Sequence, residues 1–296
     1  MFESFRQASA APAGVEIPCV IGGSGPPLLL LHGFPQTRAI WHKVAPALAK
    51  RFTVVASDLR GYGDAGKPAS DPLHASYSKR AMAADQVGLM RSLGFERFGL
   101  VGHDRGGRVA HRLAVDHPDA IERVAVLDIC PTLAMYEQTD LAFAKAYWHW
   151  FFLIQPAPLP ETMINADPEF FLTRFMGGRS AGLRPFEPQA WAEYLRCARD
   201  PETVRAMCED YRAAVTIDLE HDRADREAGR RIACPLLVLW GREGVIERSF
   251  DAVAEWERVA SDVRGHALDC GHYVPEEAPQ ALVEEIERFF GPGARQ

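Results

Sequence analysis

Asp104 stands at the centre of Gly102-His103-Asp104-Arg105-Gly106, between the apolar run "RFGLV" and the helical pattern "GGRVAHRLAVDHP". A strand, a sharp turn flanked by small residues and a helix make a nucleophile elbow, here with aspartate where serine is usual. A carboxylate is already ionised at neutral pH, so it can displace a leaving group from carbon without a base to activate it. The ester so formed must then be hydrolysed, which needs a histidine to activate water and an acid to orient that histidine. His272, in "LDCGHYVPEEAP", is the expected base, and Asp128, closing "ERVAVLDI", the expected orienter. Glu243, in "WGREG", is the rival orienter, although an aspartate at a strand end is held more rigidly than a loop glutamate. Two cations, Arg105 and Arg108, crowd the nucleophile. Four residues on from Asp104, Arg108 could simply be an intrahelical ion pair.

These residues must be positioned by the alternation of β-rich and helical segments that fills the first half of the chain. "PPLLLLHG", "FTVVASDL", "RFGLVGHD" and "ERVAVLDI" read as strands with helical patterns between them, which predicts βαβ units and a mostly parallel sheet with helices on both faces. Catalytic groups then collect beyond the strands' carboxyl ends. The rhythm breaks after Cys130 and resumes at "CPLLVLWG". The α/β core is therefore expected at 1–129 and 231–296, with an inserted helical cap at 130–230 and a frayed tail "PGARQ". Gly61, Gly63 and Gly66 match a dinucleotide-binding glycine pattern, but the proline-bearing "KPASDPLHASYS" follows where that motif needs a helix.

Composition excludes several classes. With 47% hydrophobic and 25% charged residues, the 296-residue chain can bury a large core. Its formal net charge of −7 and the lack of any basic tract oppose nucleic-acid binding. The apolar runs are too short to span a bilayer, and no secretory leader is evident. Six scattered cysteines without metal-ligand spacing fit reduced thiols in the cytoplasm, and no metal or cofactor is expected.

The blocks "LLLLHGFPQT", "DLRGYGD", "GHDRGGRV", "LDICPT", "YWHWFFLIQPAPLPE", "CEDYRA" and "GHYVPEEAP", in this order, resemble the α/β-hydrolase superfamily and within it the fluoroacetate (haloacetate) dehalogenases. The resemblance covers nearly the whole chain. It implies that Asp104 attacks the carbon bearing the halogen while Arg105 and Arg108 hold the carboxylate of a small anionic haloacid. Arginine suits that task, because it forms forked, charge-assisted bonds to carboxylates and offsets the repulsion between two anions. It also implies a halide site made by His149, Trp150 and Tyr211, and an oxyanion hole made by the backbone N–H groups of Phe34 and Arg105. Without the resemblance, "YWHW" reads equally well as aromatic packing. His32 is expected to be structural, and relatives are often homodimers. Two departures are Ala65, where relatives usually have serine, and Tyr273, where they can have phenylalanine.

Two other readings compete. An epoxide hydrolase uses the same Asp-His-Asp machinery with paired cap tyrosines, for which Tyr136, Tyr147, Tyr194 and Tyr211 are candidates. Neutral epoxides, however, leave the two arginines nothing to hold. A noncatalytic receptor for a small acid has no use for an intact aspartate, histidine and acid set.

Overall fold

The computed structural model describes residues 1–291, so the tail "PGARQ" lies outside the described residues. Eight strands form one sheet in the order β1-β2-β4-β3-β5-β6-β7-β8. They are β1 (Arg6–Ala10), β2 (Ile17–Gly22), β3 (Pro27–Leu31), β4 (Thr53–Ser57), β5 (Phe98–His103), β6 (Ile121–Leu127), β7 (Leu236–Gly241) and β8 (Val263–Leu268). From β4 to β8 every pairing is parallel, whereas β1 and β2 add an antiparallel edge.

The central strands are nearly continuous apolar runs because both of their faces are covered. In β3, Leu29 and Leu31 pack into the core that contains Val109 and Leu113, while Leu28 and Leu30 pack with Trp41, Leu282 and Ile286 on the other face. That period-two division is what a strand demands. Arg105–Asp116 covers the first face and Pro279–Phe290 the second.

Between β6 and β7 the chain is helical wherever it is regular, with eight helices from Thr132–Glu137 to Ile217–Ala228. The aromatic helix Trp148–Leu153 packs on the long helix Pro201–Val215, which brings both above the carboxyl ends of the strands. The glycine pattern after β4 falls in a turn where Gly61 and Gly63 have positive φ, and Gly63 abuts the Asp58 carboxylate. All six cysteines are free thiols. Among the described residues no helix is long and apolar enough to cross a membrane.

Candidate active site

Asp104 sits between β5 and the helix Arg105–Asp116 with φ 46° and ψ −112°. A non-glycine residue in this region costs about 1–3 kcal/mol, so its neighbours must hold it there. They do so by close approach. A Cβ on Gly33 would lie 2.5 Å from the Cβ of Asp104, and a Cβ on Gly106 would lie 2.5 Å from the Leu31 carbonyl oxygen. The loop after β3 can therefore press against the elbow, and the Phe34 N–H donates to Asp104 Oδ1 at 2.9 Å. His32 braces the same loop: its Nδ1–H donates to the Gly33 carbonyl at 3.0 Å, and its Nε2 accepts from Leu59 N–H at 3.0 Å. Burial lowers its pKa to about 4, so it stays neutral.

His272 Nδ1–H donates to Asp128 Oδ2 at 2.6 Å, and the other oxygen of Asp128 accepts from Gly241 N–H at 2.9 Å. Asp128 is fully buried and held at φ 53° just beyond β6, whereas Glu243 is exposed. With Nδ1 engaged as a donor, Nε2 of His272 is the imidazole nitrogen left as an acceptor. His103 fixes the loop from below, its Nε2–H donating to the His272 carbonyl at 2.8 Å.

The arginines are held by groups other than Asp104. Asp210 takes Arg105 bidentately, Nε at 2.8 Å and Nη2 at 2.7 Å, and its own carbonyl accepts from Nη2 at 2.8 Å. Tyr62 O–H and Lys79 Nζ also donate to Asp210. Arg108 Nη1 donates to Thr132 Oγ1 at 2.9 Å and to the Cys130 carbonyl at 3.2 Å, and Nη2 reaches Met135 Sδ at 3.2 Å. Arg105 Nη1 and Arg108 Nε are buried without a partner. Arg108 makes no ion pair among the described residues. Both guanidinium groups therefore keep donor capacity in a dry site, where a small carboxylate could use it.

Aromatic rings close the site. The Arg105 guanidinium lies 4.2 Å from the Tyr211 ring centroid, and that of Arg108 lies 4.7 Å from the Trp150 ring centroid. His149 stacks on Phe34 at 5.9 Å, and Tyr211 meets Phe34 edge-on at 5.1 Å. Tyr211 O–H, Trp150 Nε1–H and His149 Nδ1 are buried without partners, as are the hydroxyls of Tyr136 and Tyr147. Tyr194 is committed elsewhere, donating to Glu276 Oε1 at 2.7 Å. Native proteins rarely tolerate such orphaned groups, and their concentration around Asp104 is what a place built for a polar guest would show.

Burial alone would push the Asp104 pKa up, but His272, His103, Arg108 and Arg105 outweigh it and hold the carboxyl far below the usual carboxylate range. Burial, aided by Arg179, keeps His149 neutral, and burial together with the Asp104 charge keeps the Tyr211 hydroxyl protonated. The site thus combines an ionised carboxylate, two cations and neutral hydrogen-bond donors. Among the described residues no group of three His, Cys, Asp or Glu side chains is arranged to hold a metal ion.

Residues 26–279 match the family model for the alpha/beta hydrolase fold. The chain belongs to the α/β-hydrolase family. It is 49% identical over 98% of its length to a fluoroacetate dehalogenase from Burkholderia sp, covering 95% of that protein. It is 35% identical over 94% of its length to the soluble epoxide hydrolase of Corynebacterium sp. (strain C12), covering 95% of it. The crystal structure of an α/β-hydrolase protein from Nostoc sp PCC 7120 superposes with a TM-score of 0.96 at 54% identity, with 98% of this chain and 99% of that one covered.

Sequence reasoning about this α/β hydrolase overlooked Asp210, although it immediately precedes Tyr211 in "CEDYRA". A carboxylate next to a suspected ligand-binding residue, on a helix facing an arginine-bearing elbow, was the available signal. Thr132 and Met135, which hold Arg108, carried no comparable mark.

Proposed function

We propose that this α/β hydrolase cleaves the carbon–halogen bond of a short 2-haloacid, with fluoroacetate as the leading substrate, giving glycolate and halide through a covalent ester on Asp104. In this scheme the substrate carboxylate lies against Arg105 Nη1 and Arg108 Nε, which brings its 2-carbon to the Asp104 oxygen. Asp104 forms the C–O bond as the C–halogen bond breaks and the electron pair leaves with the halide. His149, Trp150 and Tyr211 surround the departing ion, and donors aimed at developing charge in a dry site stabilise the transition state selectively. His272 Nε2 then takes a proton from water, which adds to the ester carbonyl. The tetrahedral oxyanion is stabilised by the N–H groups of Phe34 and Arg105 and collapses as the His272 imidazolium returns its proton to the departing glycolate oxygen; the Asp104 carboxyl then sheds its remaining proton to solvent, which regenerates the carboxylate. Residues 130–230 act as the cap carrying the halide donors.

The observation that carries this reading is the pairing of an ionised buried Asp104 with two buried guanidinium groups that each retain an unpartnered N–H. The similarity to the Burkholderia fluoroacetate dehalogenase supports the same chemistry. Incubation with fluoroacetate and a fluoride-selective electrode tests it. Fluoride release is expected from the native protein and not from Asp104→Ala, and binding without turnover would point to a receptor instead.

The unpartnered hydroxyls of Tyr136, Tyr147 and Tyr211, with the similarity to the Corynebacterium soluble epoxide hydrolase, support epoxide opening as the second reading. Diol formation from a small neutral epoxide, faster than halide release from any haloacetate, would reverse the preference. We also propose a cytoplasmic homodimer. Exposed Leu159, Met163 and Phe170 offer apolar surface for association, and sedimentation of the purified protein would report the mass.

A further inference from the structure

Arg179 follows the helix Pro168–Gly177 and is only half buried, yet it makes no ion pair among the described residues. Its guanidinium lies 5.2 Å from the Tyr147 ring centroid and 5.3 Å from that of Phe175. Phe175 in turn packs edge-on against His149 at 4.6 Å and against Phe34 at 5.1 Å. The next residue, Ser180, lies so close over Gly271 that a Cβ there would collide with its hydroxyl. Arg179 thus lies beside the two loops that carry Phe34 and His272, and as a residue it is more exposed than Arg105 or Arg108. Its charge is felt at Asp104, Asp128 and the Tyr273 hydroxyl, which it approaches directly, and the Tyr147 hydroxyl is buried without a hydrogen-bond partner.

A cation that a protein places beside a buried site without a neutralising carboxylate leaves its field to act on whatever enters. That matters here because the chain as a whole is acidic and repels small anions. Arg105 and Arg108 lie too deep to be met first, both being almost fully buried. We propose that Arg179 forms an outer anion subsite at the mouth of the Asp104 pocket, where a small carboxylate is first caught and past which the released anion leaves. The proposal rests on the reading that this pocket takes carboxylates. It differs from that reading in assigning Arg179 to passage rather than to the reacting geometry.

Acetate, which has the carboxylate but no leaving group, is a suitable probe, and its binding can be followed by stopped-flow tryptophan fluorescence because Trp148 and Trp150 flank the pocket. The native protein should show an association rate that falls about tenfold between low and high salt. In Arg179→Gln that rate should drop about tenfold at low salt and lose most of its salt dependence, with the equilibrium constant changed less than threefold. Arg179→Lys should recover most of the native rate. With haloacetate, kcat/KM should fall in parallel while the single-turnover rate at saturation falls less than threefold. An unchanged association rate in Arg179→Gln, no acetate binding to the native protein, or an equal loss in the saturated single-turnover rate would each overturn the subsite. Native protein that binds acetate in this salt-dependent way but releases no halide would leave the subsite standing and sink the dehalogenase reading.

Discussion

Asp210 grips Arg105 along two edges of the guanidinium, at 2.8 and 2.7 Å, in a setting where both side chains are fully buried. One carboxylate thereby serves two buried cations, since Lys79 also donates to it, and Lys79 is shared further with Asp218. Holding Arg105 by Nε and Nη2 leaves Nη1 as the free edge. Asp210→Asn leaves two buried cations short of one negative charge, and breaking a buried pair from one side costs about 3–5 kcal/mol. Urea unfolding should register a loss of that order, and kcat/KM for haloacetate should fall about a hundredfold as Arg105 loses its fixed orientation. A stability change below about 1 kcal/mol would contradict the assigned role of Asp210.

His272→Ala separates the two halves of the proposed reaction. The carboxylate of Asp104 needs no base for the first half, so halide release should proceed once per site. Hydrolysis lacks its base, and the protein should gain the mass of one carboxymethyl group on Asp104, visible by mass spectrometry of the intact chain and of the peptide that carries it. An unmodified protein after a stoichiometric burst of halide would rule out the ester.

How far these features can be read in the sequence depends on whether a residue's environment is local. The runs that become β3, β5, β6 and β7 are largely apolar because the sheet buries most of their residues on both faces, so they announce themselves, even though β6 carries the more exposed Glu122 and Arg123 near its start. "RQASA" becomes β1 with no apolar period, because it lies at an exposed edge and owes its conformation to pairing with β2. The elbow and the strand-end Asp128 are similarly local signals. The assembly of His149, Trp150 and Tyr211 around Asp104 is not: aromatic residues on helices look alike whether they face a core or a substrate. Only the pattern of unpartnered polar atoms in the folded chain separates Tyr211 from Tyr194.

Acid sensitivity should come from buried imidazoles rather than from Asp104. Burial lowers the pKa of His32, His103 and His111 to about 4, from an ordinary 6.5. Between those values the unfolded chain binds protons at these three sites that the folded chain refuses, so their contribution to stability is greatest above pH 6.5 and falls as the pH drops toward 4, opposed in part by Asp58, whose carboxyl burial pushes up to about 6. Each such group contributes a slope of about 1.4 kcal/mol per pH unit in that window. His111 meets Trp256 edge-on at 5.3 Å and is not among the groups that surround Asp104. His111→Phe should therefore flatten the dependence of unfolding free energy on pH between about 4.5 and 6 by roughly one group's worth. An unaltered slope would mean that His111 accepts a proton in the folded state.

Tyr211→Phe deletes one hydroxyl and keeps the ring over which Arg105 sits at 4.2 Å. If that hydroxyl faces the leaving halide, its loss should depend on the halogen. Fluoride is the poorest leaving group and carries the most concentrated charge, so a missing donor should lower its rate about a hundredfold, in line with other deleted transition-state donors. Bromoacetate, whose departing ion is larger and more weakly solvated, should lose less than about tenfold under the same treatment. Stability should move the other way. The Tyr211 hydroxyl is buried with no partner, a cost of about 1–3 kcal/mol to the folded protein, so the variant should resist urea at least as well as the native chain. Loss of activity together with gained stability is what a donor held open for a substrate predicts. Equal losses for fluoroacetate and bromoacetate would remove Tyr211 from the halide site, and a destabilised variant would show that its hydroxyl is structural.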